Sequence, residues 1–372
     1  MPLRILAPDD PALQAYRQRL NDPSFVDVSL DIIPFATYRE KLDAALAAEQ
    51  STHEVVFVPG HLWIPELAAN GKLQQLDTLD ADWDTYTADT IVPSVNDEAY
   101  YDGNRYMLPL FTDGHILLYD PEKVSITDDT VDVRDLRQIA QNAQISEGQH
   151  VLALKAHASE IFLDWLPYLY AEGGHILDDI QQPAFNTDAG RRALENYIAL
   201  AAFTPTDTHM YDNDAIATAL RRGDVGMAVT WGGQAAPIFL AEGSVAPNRY
   251  KVAAITTPWN ATWGAAIPTN LPKDRQQAAL DMLLRLNTVE LDTLVITLAG
   301  SPVRQSSYSD QNIQHYPWLK AQQQMLTTAR LLPKHPQMGH MLGVLYTQVY
   351  QAFRGQKTAA EALAQAEADI LK

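Results

Sequence analysis

Three short apolar runs near the start constrain the fold more than anything else in the sequence. LRILAP (3–8), VSLDIIP (28–34) and HEVVFVPG (53–60) read as strands, and Pro-Gly closes the third. Between and after them come stretches with helical spacing. One runs from Pro11 to about Leu20. Another spans 37–50, with Tyr38, Leu42, Ala45 and Leu46 on one face and Thr37 as its expected N-cap. A third covers 63–77 and is closed by Asn70-Gly71. Strand–helix alternation of this kind predicts parallel strands joined by helical crossovers, because a parallel neighbour cannot be reached by a tight turn.

The alternation breaks after residue 100. YYDGNRYMLPLF (100–111) reads as a hairpin around Asp102-Gly103-Asn104 running into an extended segment, and HILLYD (115–120) continues it. An extended crossing here suggests a hinge into a second domain, which suits 372 residues better than one core does. Later elements are a helix at 131–143, a strand at 150–155 and a long helix from 160, with Ser159 as its cap and Gly173-Gly174 as its stop. Helices follow at 188–202 and 214–223, then strands VGMAVT and YKVAAI, an extended WGAAIP and a helix at 274–288. From 310 the chain reads as helical to its end, and Thr358-Ala359-Ala360-Glu361 forms a capping box.

Composition excludes several functions. The 46 acidic residues against 27 basic ones leave a charge of −19, opposite in sign to the footprint a nucleic-acid backbone requires. With no cysteine there is no disulfide, thiolate metal site, iron–sulfur cluster or thiol nucleophile. No apolar run approaches the roughly 20 residues of a membrane span. No secretory leader precedes LRILA, so an exported protein would be represented by its mature form.

Catalytic signatures are equally scarce. The sequence lacks a phosphate-loop motif, a dinucleotide fingerprint after a strand, and a nucleophile elbow. Gly355-Gln356-Lys357-Thr358 reads as a turn between helices. His53-Glu54 begins like a zinc-protease helix but sits in a strand, and His335 and His340 do not share a helical face. The doublets Asp9-Asp10, Asp128-Asp129 and Asp178-Asp179 read as turn residues and caps, so a glycosidase pair has no positive motif. The expectation is a protein without catalysis, cofactor or metal.

What recurs instead is aromatic and polar side chains at strand ends: His61 and Trp63 after the third strand, Asp113 and His115 in the crossing, Trp231 at the end of VGMAVT, and Trp263 beside Gly264. In open α/β sheets, ligands bind outside the carboxyl ends of the strands. Aromatic rings there suit the C–H faces of sugars, while polar groups suit the hydroxyls. Core packing is the competing account for each Trp, and it is the expected one for Trp165; Trp318 fits either.

These pieces together resemble the extracellular solute-binding proteins of ABC importers, in the carbohydrate-binding, maltose-binding-protein-like branch. The resemblance runs nearly end to end through HEVVFVPGHLWIPELAANGKLQQLD, YYDGNRYMLPLFTDGHILLYDPEKV, YAEGGHILD, ALRRGDVGMAVTWGG, LAGSPVRQSSYSD, TARLLPKHPQM and VYQAFRGQKTAAEALAQAEADIL. It implies an α/β, two-lobe periplasmic-binding-protein-like fold of type II, with a ligand cleft between the lobes and a multi-strand hinge. The lobes would comprise residues 1–112 plus 258–310 and residues 113–257 plus 311–372. They would close on a solute and deliver it to membrane permease subunits, in a monomer that is periplasmic or extracellular, with a lipid anchor left open.

The resemblance places Trp63, His61 and Asp113 in the first lobe and hinge, and Trp231 and Gly233 in the second. Trp263, Glu160, Arg304 and Asp9 complete the candidate ligand-binding set. The family often carries Gly-Pro-Trp after this strand, whereas here Trp231 comes two positions earlier than that Trp and a glycine takes the usual aromatic place; His340-Met341-Leu342 stands where maltose-type members offer an aromatic. Fewer platforms imply a monosaccharide, a short oligosaccharide or a polyol. A polyamine in the same fold, and a glycosidase-type enzyme, are the alternatives.

Overall fold

The computed structural model describes residues 2–88, 91–145 and 148–372. Its strands of four or more residues are β1 (Leu3–Pro8), β2 (Val28–Ile33), β3 (Val55–Pro59), β4 (Met107–Tyr119), β5 (His150–Ala153), β6 (Val225–Trp231), β7 (Lys251–Ile255) and β8 (Asn260–Ala266). Its helices of eight or more residues are α1 (Leu13–Leu20), α2 (Phe35–Ala47), α3 (Gly60–Ala69), α4 (Ile161–Ala171), α5 (Asp188–Ala199), α6 (Asn213–Arg222), α7 (Lys273–Leu286), α8 (Val289–Leu298), α9 (Trp318–Thr328), α10 (Met338–Phe353) and α11 (Ala359–Ile370). The chain divides into two compact units. Unit 1 holds Met1–Asp113, Asn260–Asn312 and Lys334–Pro336; unit 2 holds Gly114–Trp259, Ile313–Pro333 and Gln337–Lys372.

In unit 1 the first three strands lie parallel in the order β2–β1–β3, and β8 joins antiparallel to β3 with Trp263 opposite Pro59. The β1 and β3 runs are apolar at successive positions because both sheet faces are covered. Ile5, Ala7, Val55 and Phe57 point into one core with Leu280, Leu283 and Val295 of α7 and α8. Their alternates Leu6, Val56 and Val58 point into the other, with Tyr38, Leu42, Ile64 and Leu67 of α2 and α3. The Tyr38 hydroxyl donates to the Phe57 carbonyl at 2.5 Å, tying α2 to β3.

In unit 2 the order is β5–β6–β4–β7, with β5 parallel to β6 and β4 antiparallel to both β6 and β7. The Gly223 left-handed cap (φ 74°) ends α6 and lets the chain enter β6 after a single further residue. The capping box expected at Thr358 and Glu361 is present at the start of α11.

Local expectations fail in four places, the first being the helix expected over 131–143, which is a strand at Thr130–Val131, a 3-10 segment at Val133–Asp135 and a helix only at Leu136–Asn142. Helix α2 begins at Phe35 with Pro34 before it, and Thr37 is already helical, its hydroxyl donating to the Pro34 carbonyl. Proline at that position sets an extended φ/ψ that starts the helix earlier than the hydroxyl cap would. Helix α4 begins after Glu160, because the Ser159 hydroxyl bonds the His157 ring instead of capping the helix. The helix expected over 63–77 spans 60–69, and the remainder is a turn and a short 3-10 segment.

Close approach of β8 to its neighbour depends on Gly264. A Cβ there would press on the Met107 sulfur and come within 2.9 Å of the Leu108 carbonyl. Gly264→Ala is expected to lower unfolding stability by about 1–3 kcal/mol, the usual range for overpacking; urea titration of the two proteins measures it.

Candidate functional site

Parallel pairing brings the carboxyl ends of β1, β2 and β3 to one edge of the unit 1 sheet, and the antiparallel β8 adds residues from near its amino end. Asp9 follows β1, Phe35 follows β2, His61 and Trp63 follow β3, and Trp263 sits opposite Pro59. The Asp9 N–H donates to the Ile33 carbonyl at 2.7 Å, which ties the β1 and β2 ends together, and Asp9 itself is exposed.

The aromatic rings at this edge pack on one another. Trp263 stacks on Phe111 (6.2 Å between centroids, 14°) and meets Trp63 (6.2 Å, 73°) and Phe35 (6.3 Å, 63°) edgewise. Trp63 in turn stacks on Tyr38 at 6.1 Å and carries the Arg39 guanidinium 5.0 Å from its centroid. Arg39 is held by Glu66 at 2.5 Å and Asp43 at 3.0 Å, so its cation is fixed over the ring.

His61 is buried and bonds the Thr262 backbone; burial pushes its pKa down to about 3, so the ring is neutral at ordinary pH. Its Nδ1 lies 4.0 Å from Glu98 Oε2, which accepts the Thr262 N–H at 2.5 Å. Burial raises the Glu98 carboxyl well above the usual range, against the opposing effect of the hydrogen bonds from Thr262. The residue has no counterpart among the sequence-derived candidates.

Two further candidates have other partners. Arg304 is buried, donates to the Asn287 carbonyl at 2.7 Å and lies 5.8 Å from the Tyr86 ring, while its N–H bonds Asp292 at 2.9 Å. These contacts tie it to the corner between α7 and α8. Asp113, the last residue of unit 1 on β4, is partly buried and acts electrostatically on Tyr308.

Unit 2 builds a separate set around Trp231. The β6–β4 register puts Trp231 opposite His115, with ring centroids 4.3 Å apart, and Trp259 meets the indole edgewise at 5.3 Å. Lys155 Nζ lies 4.5 Å from the Trp231 centroid. That ammonium is fully buried, 3.2 Å from Asp164 and 3.1 Å from Asn213 Oδ1, and Asp164 also stands 3.3 Å from His115 Nε2. Burial lowers the His115 pKa, which leaves one cation and one anion paired beneath the indole.

Trp231 is 8% exposed, so most of its surface already has protein against it. The indole N–H donates to Glu160, the residue before α4. Burial pushes the Glu160 carboxyl up to about 6, against the opposing effect of Lys155. Gly233 is buried in the 3-10 turn that follows, where the Gly232 carbonyl accepts from Gln322 at 2.7 Å. Sequence reasoning missed Lys155, Asp164 and Trp259.

Two concavities of unit 2 lie elsewhere: a groove of about 310 Å³ between His340, Thr347 and Asp369, and one of about 610 Å³ around Asp120, Lys123 and Arg249. Neither is lined by Trp231 or Lys155. Among the described residues no group of three His, Asp or Glu is placed to hold a metal ion, and no helix is long and apolar enough to cross a membrane.

Two predictions come from the unit 2 cluster. Lys155→Met leaves Asp164 buried without its cation and is expected to lose about 3–5 kcal/mol in urea unfolding, whereas Lys155→Met combined with Asp164→Asn should lose markedly less. Glu160, raised from 4.5 to about 6, stabilises the fold fully below pH 4.5 and loses that contribution as pH rises through 6. Glu160→Gln should therefore match the wild type at pH 4 and exceed it at pH 7 by about 1–2 kcal/mol; the difference between the two stability–pH curves tests this.

The sequence profile of the bacterial extracellular solute-binding proteins matches residues 13–321. No curated protein sequence matches the chain. Among solved structures, maltose-bound MalE3 of T. maritima is 19% identical, with a TM-score of 0.84 over 99% of this chain and 98% of that one. An ABC transporter solute-binding protein from Agrobacterium radiobacter K84 in complex with ribitol is 19% identical, with a TM-score of 0.86 over 99% and 98%. One from Thermotoga lettingae TMO bound with α-D-tagatose is 21% identical, with a TM-score of 0.83 over the same shares. At these identities the structures establish the fold: a periplasmic-binding-protein architecture of mixed α/β type.

Proposed function

The chain belongs to the family of bacterial extracellular solute-binding proteins, and on that premise we propose that it captures an uncharged polyhydroxylated solute, a small sugar or a polyol, for delivery to the permease of an ABC importer, and does not chemically alter it. The observation that carries the reading is the family match over residues 13–321. Solved neighbours of the same fold are described with maltose, ribitol, tagatose and mannitol.

The site chemistry supports a neutral solute. In unit 1 burial favours the neutral forms of His61 and Glu98, which lie 4.0 Å apart. In those forms both can exchange hydrogen bonds with hydroxyls. In unit 2 an organic cation brought onto Trp231 would meet an indole already occupied by the Lys155 ammonium at 4.5 Å. Asp9, Trp63, His61 and Trp263 are the proposed contacts in unit 1, and Trp231 with Glu160 in unit 2. Arg304 is a supporting residue in this reading.

Thermal unfolding with mannitol, ribitol, tagatose, glucose, maltose and putrescine tests the proposal. A native-state ligand at a hundred times its dissociation constant adds about 2.7 kcal/mol and raises the midpoint accordingly. A rise with one or more of the uncharged solutes and none with putrescine is expected. A rise with putrescine alone would refute the neutral-solute reading, and turnover of a chromogenic glycoside would refute the absence of catalysis.

A further inference from the structure

Unit 2 has a concave site at the edge of its sheet opposite Trp231. Strand β4 leaves the sheet there at Tyr119, while β5, β6 and β7 enter it at His150, Val225 and Lys251. Trp231 lies at the far end of the seven-residue β6, about 20 Å away. Residues flanking these strand ends, Asp120, Lys123, Gln149 and Arg249, line a cavity of about 610 Å³. That volume is in the range of small-molecule sites.

Asp120 is buried at its base. Oδ1 accepts the Glu122 N–H at 3.0 Å, Oδ2 accepts the Arg249 Nε–H at 2.9 Å, and Lys123 Nζ stands 3.9 Å from the same Oδ2. Lys123 donates to the Gln149 amide oxygen, and the Gln149 amide nitrogen donates to the Gly223 carbonyl at 2.8 Å. The Tyr250 ring backs the guanidinium at 5.7 Å and is itself tied to the Val225 carbonyl through its hydroxyl. A Cβ at position 223 would collide with Arg249 Nη1, so the glycine that ends α6 also makes room for the guanidinium. Both cations are thus held in place by the fold.

Their donors are only partly used. A guanidinium carries five N–H groups, four of them on Nη1 and Nη2. Among the described residues neither of those nitrogens has a hydrogen-bond acceptor, since Nε alone bonds Asp120. Two cations also share one buried carboxylate. Burial, and after it the Arg249 charge, holds the Lys123 ammonium below the usual lysine range, against the opposing effects of Asp120 and Glu122. Where the two cations meet, negative charge is in short supply, although the whole chain carries −19.

We propose that this cavity binds a small oxyanion, a molecule bearing a phosphate or carboxylate group, which takes the open fork of Arg249 and the Lys123 ammonium together. The site is distinct from the aromatic clusters proposed for the solute, and the inference does not depend on that reading. Paired oxygens match the guanidinium fork, and the ammonium serves them as a point charge. A neutral sugar would leave the cations uncompensated, and an amine or a metal ion would add to their repulsion.

Titration calorimetry at an ionic strength held constant with potassium chloride tests this, with inorganic phosphate and citrate as probes. The wild type is expected to bind one equivalent of at least one of them. Lys123→Gln should weaken that binding about 10-fold, as the loss of one charge-assisted contact does. Asp120→Asn removes the carboxylate that competes for Arg249 and should tighten it about 3- to 10-fold. Lys123 lies at the rim, so the unliganded midpoint of Lys123→Gln should stay within about 2 °C of the wild type.

Heat with phosphate alone assigns the site to phosphate groups, and heat with citrate alone assigns it to carboxylates. No heat with either, binding that Lys123→Gln leaves unchanged, or binding that a folded Asp120→Asn does not tighten would overturn the inference. Should Asp120→Asn fail to fold, the Lys123→Gln comparison decides alone.

Discussion

Two parallel strands joined by a helix must both be left at the same end. That constraint fixes the aromatic edge of unit 1. β1, β2 and β3 run the same way, so Asp9, Phe35, His61 and Trp63 emerge at one edge although up to 54 positions separate them in the sequence. β8 enters antiparallel beside β3 and delivers Trp263 to the same edge from the opposite direction. The two cores beneath hold the strands rigidly, because β1 and β3 are apolar on both faces and cannot slip by one residue without putting every side chain into the other core.

Unit 2 solves a different problem. Its aromatic residue at a strand end has an ion pair behind it, with Lys155 and Asp164 both buried. Such a pair is weak as a source of stability, since desolvation offsets most of the attraction. What it supplies is placement. Lys155 is held by Asp164 and Asn213, Asp164 also meets His115, and both Lys155 and His115 lie against the Trp231 indole. The ring is fixed by side chains from β4, α4, α6 and the segment after β5.

The sequence makes the strands and their ends legible because a buried parallel strand writes itself as a continuous apolar run closed by Pro or Gly. HEVVFVPG and VGMAVTWGG are the clearest cases, and the side chains after them are the ones at the sheet edges. The charged cluster of unit 2 was less legible. LALK reads as a strand ending in a solvated lysine, and only the lone Asp164 within IFLDWLPYLY signals that a cation must be buried opposite it. Arg304 shows the reverse limit: its position in the return segment suggested a ligand contact, whereas its partners Asn287, Asp292 and Tyr86 come from distant parts of the chain that no local pattern joins. Phe35 was hidden by the Pro34 that precedes it, which begins the helix two residues before Thr37.

Apart from Asp9 and Glu160, the polar groups beside the rings of unit 1 and of unit 2 are pushed toward their neutral forms or already paired. Burial favours the neutral forms of His61 and Glu98, Arg39 is held by Glu66 and Asp43, and Lys155 is held by Asp164. A charged group aimed at the solute would have to shed its water at each capture and regain it at each release, a large barrier in both directions. Groups that are neutral or internally compensated avoid that exchange and leave hydrogen bonds and ring contacts, which are individually worth about 1 kcal/mol, to set the affinity. A carrier must hold its cargo and then surrender it. Binding assembled from several small, pre-positioned terms meets that requirement, because no single contact has to be broken at great expense.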